Sequence, residues 1–430
     1  VAFHHDINTF IAVDSDNSYR QYRVNKGEFM LRQQNRYRNI LLSSILFCAS
    51  TAPAWAASTG QSIPEAAHQN WWRGISLVMH GQVEGVSNLS GGISTGATAT
   101  GLWKGGLALH TGKAGWWQGG LFVVEGLAAG SSNPDSLYIG DLQGVSNLTT
   151  PYQHMAHLYK AYYRQKFGDY TLRLGLLNPN DYFDDTGVAG ELFNASYGIY
   201  PIISANIPFT PTYPYSSLGA MAAASWGNTT VMAGAFGADG VHPFRAPWGS
   251  DGMIYYGEVD QSIPIGPGTA MLKAGGYYNH IYGPYLTQNI GIGSSTSQGG
   301  FYGTAEYRWK ADQMNWGVFL QGGGAPNAAA VSPVNAYVGA GLRLRHFIPD
   351  SPGSTLSLGM ARAWQRQSGS NTGAAETSLE VNFKQPVFKD LYIQPDLQYI
   401  INPGANGPGY TLPNAFVAII RLGWHYHLHA

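Results

Sequence analysis

The sequence predicts an all-β fold, a transmembrane antiparallel β-barrel of about 16 strands. Three observations predict it: an unusual composition, a recurring ten-residue alternation of polarity, and the character of the last strand. Charged residues are 11% of the 430, against roughly 25% in soluble domains. Gly reaches 56 residues and aromatics 13%, with 27 Tyr and 12 Trp, yet mean hydropathy is only −0.14. A helical membrane protein would be more apolar overall. In a barrel wall, lipid-facing and lumen-facing residues alternate and average to a middling value. The competing class on composition alone is a Gly-rich secreted all-β protein. A formal net charge of −1 gives no reason to expect nucleic acid or another polyanion as partner.

The N-terminal region carries an export signal. Residues 30–56 run from Met30 through Arg32, Arg36 and Arg38, an apolar stretch from Ile40 to Ala49, and the small-x-small site Ala54-Trp55-Ala56. These three parts in this order read as a secretory signal peptide cut after Ala56. The apolar run is too short to span a bilayer as a helix. Residues 1–29 precede the signal and read as an upstream extension ahead of the true start at Met30. The single cysteine, Cys48, lies inside the signal, so the exported chain is expected to have no disulfide. Residues 57–70 read as a short lead-in, and 71–430 as a single barrel domain.

The strands follow. No run after residue 57 approaches 18 apolar residues, so no transmembrane helix is expected. In "ISLVMHGQVEG", Ile75, Leu77, Met79 and Val83 share one face and Ser76, His80, Gln82 and Glu84 the other. In "GLWKGGLALH", Trp103, Leu107 and Leu109 oppose Lys104 and His110. Further on, Ala305, Tyr307 and Trp309 oppose Thr304, Glu306, Arg308 and Lys310. Val338, Ala340, Leu342 and Leu344 oppose Tyr337, Arg343 and Arg345, and Leu379, Val381 and Phe383 oppose Glu380, Asn382 and Lys384. Such two-residue periodicity, bounded by Gly, Pro, Asn, Asp or Ser, marks hairpin-linked strands. The stretch 357–367 does not sort into two faces. About 375 exported residues, at roughly 22 to 24 per strand and turn, give about 16 strands. The Gly/Ser-rich stretches 91–101 and 291–300 read as surface loops.

The last strand, "FVAIIRLGWHYHLH" (416–429), keeps Phe416, Ala418, Ile420, Leu422, Trp424, Tyr426 and Leu428 on one face. That face suits lipid, with Trp424 and Tyr426 in an interfacial girdle. The opposite face turns polar and basic, with Arg421, His425, His427 and His429. Three readings of those histidines stand: plain polar residues at a barrel rim, a rim that becomes cationic in mild acid, or a shared Zn²⁺ or Cu²⁺.

Candidate pore residues come from the inward faces. Lys160, Arg164 and Lys166 share a face in "LYKAYYRQKF", and Arg173 is inward in "TLRLGLL". Glu258, Asp260, Arg343, Arg345 and Arg421 come from other strands. Charges of both signs among aromatics suit a neutral polyol: guanidinium and carboxylate groups hydrogen-bond hydroxyls, and Tyr and Trp stack on sugar faces. The segment 177–199 carries Asp181, Asp184, Asp185, Glu191 and Asn194. Three readings of it stand: an inward constriction, a Ca²⁺ site, or a solvated loop. The constriction set is Arg164, Arg173, Asp181, Asp184, Glu258, Arg343 and Arg421. "GISTG" (92–96) fits a nucleophile-elbow string but has no helical pattern after it, so no enzyme activity, metal or cofactor is expected.

Several long segments resemble the carbohydrate-selective porins of the OprB family. The likeness is carried by 71–92, "SLYIGDLQGVSN" (136–147), 163–198, "YPYSSLGAM" (213–221), "QPDLQYIINPGAN" (394–406) and "NAFVAIIRLGW". It spans essentially the whole exported chain. It implies a 16-stranded outer-membrane porin that admits monosaccharides such as glucose by passive diffusion. Other uses of such a barrel are non-selective diffusion, or a role in polysaccharide export or surface assembly. Implied partners are small carbohydrates, outer-membrane lipid and lipopolysaccharide, and the barrel-assembly machinery, with monomer and homo-oligomer both open. The chain departs from the family pattern in "ALHTGK" (108–113), near "LYKAYYRQ", at Leu176, and at its "HLHA" end.

Overall fold

The computed structural model describes residues 9–13, 19–23, 71–207, 209–245, 251–281, 296–326, 334–351, 353–365, 374–405 and 411–429. The signal reading at 30–56 and the lead-in at 57–70 lie outside the described residues. The chain divides into two units, Val1–His68 and Gln69–Ala430. In the first, β1 (Thr9–Val13) pairs antiparallel with β2 (Tyr19–Arg23).

The second unit is a closed barrel of 16 antiparallel strands. They are β3 (Ile75–Ser90), β4 (Gly96–His110), β5 (Gly120–Ser131), β6 (Met155–Phe167), β7 (Tyr170–Leu177), β8 (Ser217–Trp226), β9 (Thr229–Gly237) and β10 (Gly252–Ile265). Then follow β11 (Gly268–Ile281), β12 (Thr296–Ala311), β13 (Met314–Gly324), β14 (Val334–Arg345), β15 (Thr355–Gln365), β16 (Ala375–Phe388), β17 (Leu391–Ile401) and β18 (Ala415–His429). Each strand pairs with its sequence neighbours, and β18 closes on β3 with Arg421 opposite Glu84. Closure leaves no unpaired backbone edge, which a hydrocarbon environment requires.

The two rims differ. At one rim, tight turns such as Gly168-Asp169, Gly227-Asn228 and Asp312-Gln313 join the strands. Gly168, Gly227 and Asp312 adopt φ of 58°, 56° and 55° there. Positive φ at this position matches the strand twist of a two-residue hairpin. The opposite rim carries the long connections, 132–154 and 178–216 among them.

The outer face is apolar as the alternation requires. Val83, Leu320 and Ile420 are 57%, 57% and 56% exposed, while their inward neighbours Glu84, Gln321 and Arg421 are buried. Near the tight-turn rim the outside is aromatic. Tyr307, Trp309 and Trp316 stack at 5.2 and 5.8 Å, and Trp424 lies parallel to Tyr426.

The hydrophobic core lies inside the barrel, where the two long loops fold into the lumen. Phe183, Val188, Leu192, Tyr197, Tyr200, Ile202 and Ile203 of the 178–216 loop pack on inward side chains including Phe236, Ile254, Tyr256, Tyr302, Phe319 and Tyr337. The 132–154 loop buries Ile139 and Val145 on Val86, Ile400, Val417 and Ile419.

This packing corrects two sequence expectations. The stretch 357–367 fails to sort because Ala361 and Ala363 face inward onto loop rather than water. Its neighbour Arg362 lies over the Trp364 ring at 5.2 Å. The Gly/Ser-rich stretches also extend beyond loops: Gly96 onward and Thr296 onward are strand, and 291–295 lie outside the described residues. Their glycines leave room for rings. A Cβ on Gly300 would sit 2.6 Å from Tyr277, and one on Gly96 2.3 Å from Tyr138.

Candidate functional site

A loop folded inside a barrel must find partners for its backbone N–H and C=O groups away from bulk water. Here wall side chains supply them. Glu258 Oε2 accepts from Asp184 N (2.9 Å), and Glu306 Oε1 from Val188 N (2.6 Å). Glu380 accepts from Phe193 N (2.5 Å) and Asn194 N (3.0 Å). Glu376 accepts from Leu142 N (2.6 Å) and Gln143 N (3.0 Å) of the other loop. Loop carbonyls are met by donors: Asn382 and Gln394 both reach Glu191 O at 2.8 Å, and Gln398 reaches Val145 O at 2.7 Å. Inward carboxylates and amides thus form a cradle that fixes both loops against the inner wall.

Several expected pore residues belong to this cradle. Glu258 and Asp184 meet through the loop backbone, and Asp184 Oδ2 also accepts from Tyr200 N at 2.9 Å. Burial pushes the Asp184 carboxyl well above the usual carboxylate range, and the Tyr200 N–H works against that rise. Arg343 donates to Gly187 O at 2.5 Å. Arg421 donates through Nε to Glu84 Oε1 and through a terminal nitrogen to Asn147 Oδ1, both at 2.6 Å, and its guanidinium lies over the Phe193 ring. All four are buried at the loop–wall contact. They position the loops; the surface left to solvent is made by others.

That surface is lined near β5–β7. Lys160 stands 2.7 Å from Asp181 and 3.5 Å from Glu125. Lys160 sits directly opposite Glu125 in the regular β5–β6 register, and the register shifts just beyond that pair, leaving Tyr159 as an extra, buried residue beside Lys160. Lys104 lies over the Tyr159 and Tyr213 rings at 4.9 and 5.3 Å. Arg173 stacks on Tyr182 of the loop at 4.6 Å, and Arg164 is its register partner on β6. Asp181 therefore pairs with Lys160 and not with either arginine.

The loop's remaining carboxylates are dispersed. Asp185 lies 3.9 Å from Lys273, and Glu191 bonds Arg345 and Lys384, each at 3.1 Å. Burial alone would raise the Glu191 carboxyl, but the two cations outweigh it and hold it below the usual range. Among the described residues no three metal-ligating side chains converge, so the Ca²⁺ reading of 177–199 and the metal reading of the terminal histidines gain no support. His425 opposes His80 across the β18–β3 closure.

Sequence reasoning assigned Glu84, Glu306 and Glu380 to inward faces but could not see their partners. Mid-strand inward glutamates in a chain with a long internal loop were the available signal.

Residues 94–426 match the family model described as carbohydrate-selective porin, OprB family. The chain belongs to the OprB family of carbohydrate-selective porins. The porin is accordingly a multi-pass outer-membrane barrel for small sugars and not an enzyme. The high-pH structure of Pseudomonas putida OprB has a TM-score of 0.71 to it at 18% identity, over 82% of this chain and 94% of that one. The low-pH structure of the same protein has a TM-score of 0.51 at 16% identity, over 82% and 93%. These two likenesses bear on the porin's fold. No curated protein sequence matches it.

Proposed function

We propose that the porin passes neutral monosaccharides such as glucose by passive diffusion, and that the lumen beside β5–β7 is where they are selected. The observation that carries this reading is the interleaving of opposite charges and ring faces there. Lys160 stands between Glu125 and Asp181, Lys104 lies over Tyr159 and Tyr213, and Arg173 lies on Tyr182. Fixed donors and acceptors side by side match the hydroxyls of a sugar, and the half-buried Tyr182 and Tyr213 rings match its C–H face.

Of the sequence-predicted set, Arg164, Arg173 and Asp181 serve as contact residues, with Lys160 added. Asp184, Glu258, Arg343 and Arg421 act by holding the loops.

The test is swelling of proteoliposomes with a panel of sugars. Purified protein alone is expected to admit monosaccharides faster than disaccharides, and Arg173→Ala with Asp181→Ala to raise conductance and weaken discrimination. Swelling that follows solute size alone, unchanged by those variants, would mean a non-selective channel. No swelling at all would favour a part in polysaccharide export or assembly.

A further inference from the structure

The lumen holds a second concavity, away from β5–β7. Beneath the 178–216 loop, at the tight-turn rim, lies a cavity of about 350 Å³. Ligand pockets run upward from roughly 300 Å³. Its charged lining is unbalanced: Arg345, Lys384 and Lys389 face a single carboxylate, Glu191.

The cations are not used up by Glu191. Each of its oxygens takes one partner, Arg345 at one and Lys384 at the other. Lys384 is held further by the Tyr392 ring, 4.3 Å away. The Arg345 side chain stays 47% exposed and uses one terminal nitrogen on Glu191. Arg345 lines the cavity, and a guanidinium's planar fork has the shape that binds a carboxylate or phosphate through two parallel bonds. Asn315 beside it supplies a neutral polar group for hydroxyls.

We propose that this cavity is a second subsite, one that takes a monosaccharide carrying a single anionic group, a carboxylate or a phosphate. It rests on the reading of the chain as a sugar channel and extends it. The β5–β7 lumen selects for hydroxyls, and the cavity at the tight-turn mouth adds a preference for acidic sugars. Arg345 holds the anionic group, Lys389 adds long-range attraction, and Glu191 orders Arg345 and Lys384.

The experiment is calorimetric titration of the purified full chain in detergent with glucuronate, glucose 6-phosphate, glucose and inorganic phosphate. It is run for wild type, Arg345→Ala and Lys389→Ala, with heat-modifiable migration reporting an intact barrel. One or both acidic sugars are expected to bind roughly tenfold or more tightly than glucose. Arg345→Ala is expected to erase that preference and Lys389→Ala to reduce it, and added salt to weaken it. Which of the two sugars binds identifies the anionic group.

Equal affinity for glucose and both acidic sugars overturns the proposal, as does an acidic-sugar preference that survives Arg345→Ala. Inorganic phosphate binding as tightly as glucose 6-phosphate also overturns it, because the sugar then contributes nothing. Glucose-driven swelling, measured separately, keeps the two readings apart. Swelling without anionic preference sinks only the subsite, and anionic preference without swelling sinks only the channel.

Discussion

Glu380→Ala is expected to loosen the 178–216 loop and widen the channel without dissolving the barrel. Glu380 is buried, and its carboxylate accepts Phe193 N at 2.5 Å, Asn194 N at 3.0 Å and Asn382 Nδ2 at 3.1 Å. Removing it leaves two loop N–H groups with no acceptor in a dry contact. Each buried unsatisfied donor costs about 1–3 kcal/mol, so docking of the segment around Phe193 weakens by about 2–6 kcal/mol. A mid-range loss of about 4 kcal/mol shifts the local docked-to-released ratio roughly a thousandfold. Glu258, Glu306 and Glu376 still hold their own loop segments, so release is local. Glu380→Gln keeps one acceptor and is expected to have about half the effect. Single-channel conductance in planar bilayers measures the outcome, with sugar discrimination in swelling assays beside it. Conductance is expected to rise, and discrimination to fall, from wild type to Gln to Ala. An Ala variant with an intact barrel and wild-type values of both would refute the idea that wall carboxylates set the pore.

Leu342→Arg places a charge on the lipid face and is expected to cost roughly 2–4 kcal/mol near the bilayer midplane, seen as loss of the heat-modifiable form. Arg343→Leu, one residue on, faces the loop and is expected to assemble but conduct more; equal assembly of both variants would refute the face assignment. Arg421→Met strands the buried Glu84 carboxylate, which costs about 3–5 kcal/mol, while Glu84→Gln with Arg421→Met is expected to recover most of the urea-unfolding midpoint. A double variant no better than Arg421→Met would deny that the two act as a pair. The Asp184 carboxyl is raised mainly by burial, so the docked loop binds the proton more tightly than the released loop does. Docking through it is therefore strongest below the ordinary carboxylate range and weakens as pH rises through the raised value. Conductance is expected to fall between neutral and mildly acidic pH, and Asp184→Asn to flatten that change; identical pH profiles would count against it.

The sequence by itself determined the barrel. Period-two alternation is a local property, and each strand carries its own copy. Leu342 beside Arg343, or Glu380 between Leu379 and Val381, assigns a face from the nearest neighbours alone. Length then sets the strand number, because each strand and its turn take a narrow range of residues. The closing strand was legible for the same reason: Ile420 and Leu422 flank Arg421, and lipid permits no polar break on their face.

What filled the barrel was decided only by the tertiary structure. Val417 and Ile419 interrupt the polar face of β18, and Ala361 and Ala363 blur β15, because loops from far along the chain press on them. Glu258 and Arg421 looked like pore residues because an inward charge has the same local signature whether it faces water or a loop. Glu84 and Arg421 are 337 positions apart and meet only when β18 closes on β3. Tyr159 is buried beside Lys160 only through a register shift that no periodicity encodes. Alternation decides which way a side chain points, but what it meets there depends on contacts between segments distant in sequence.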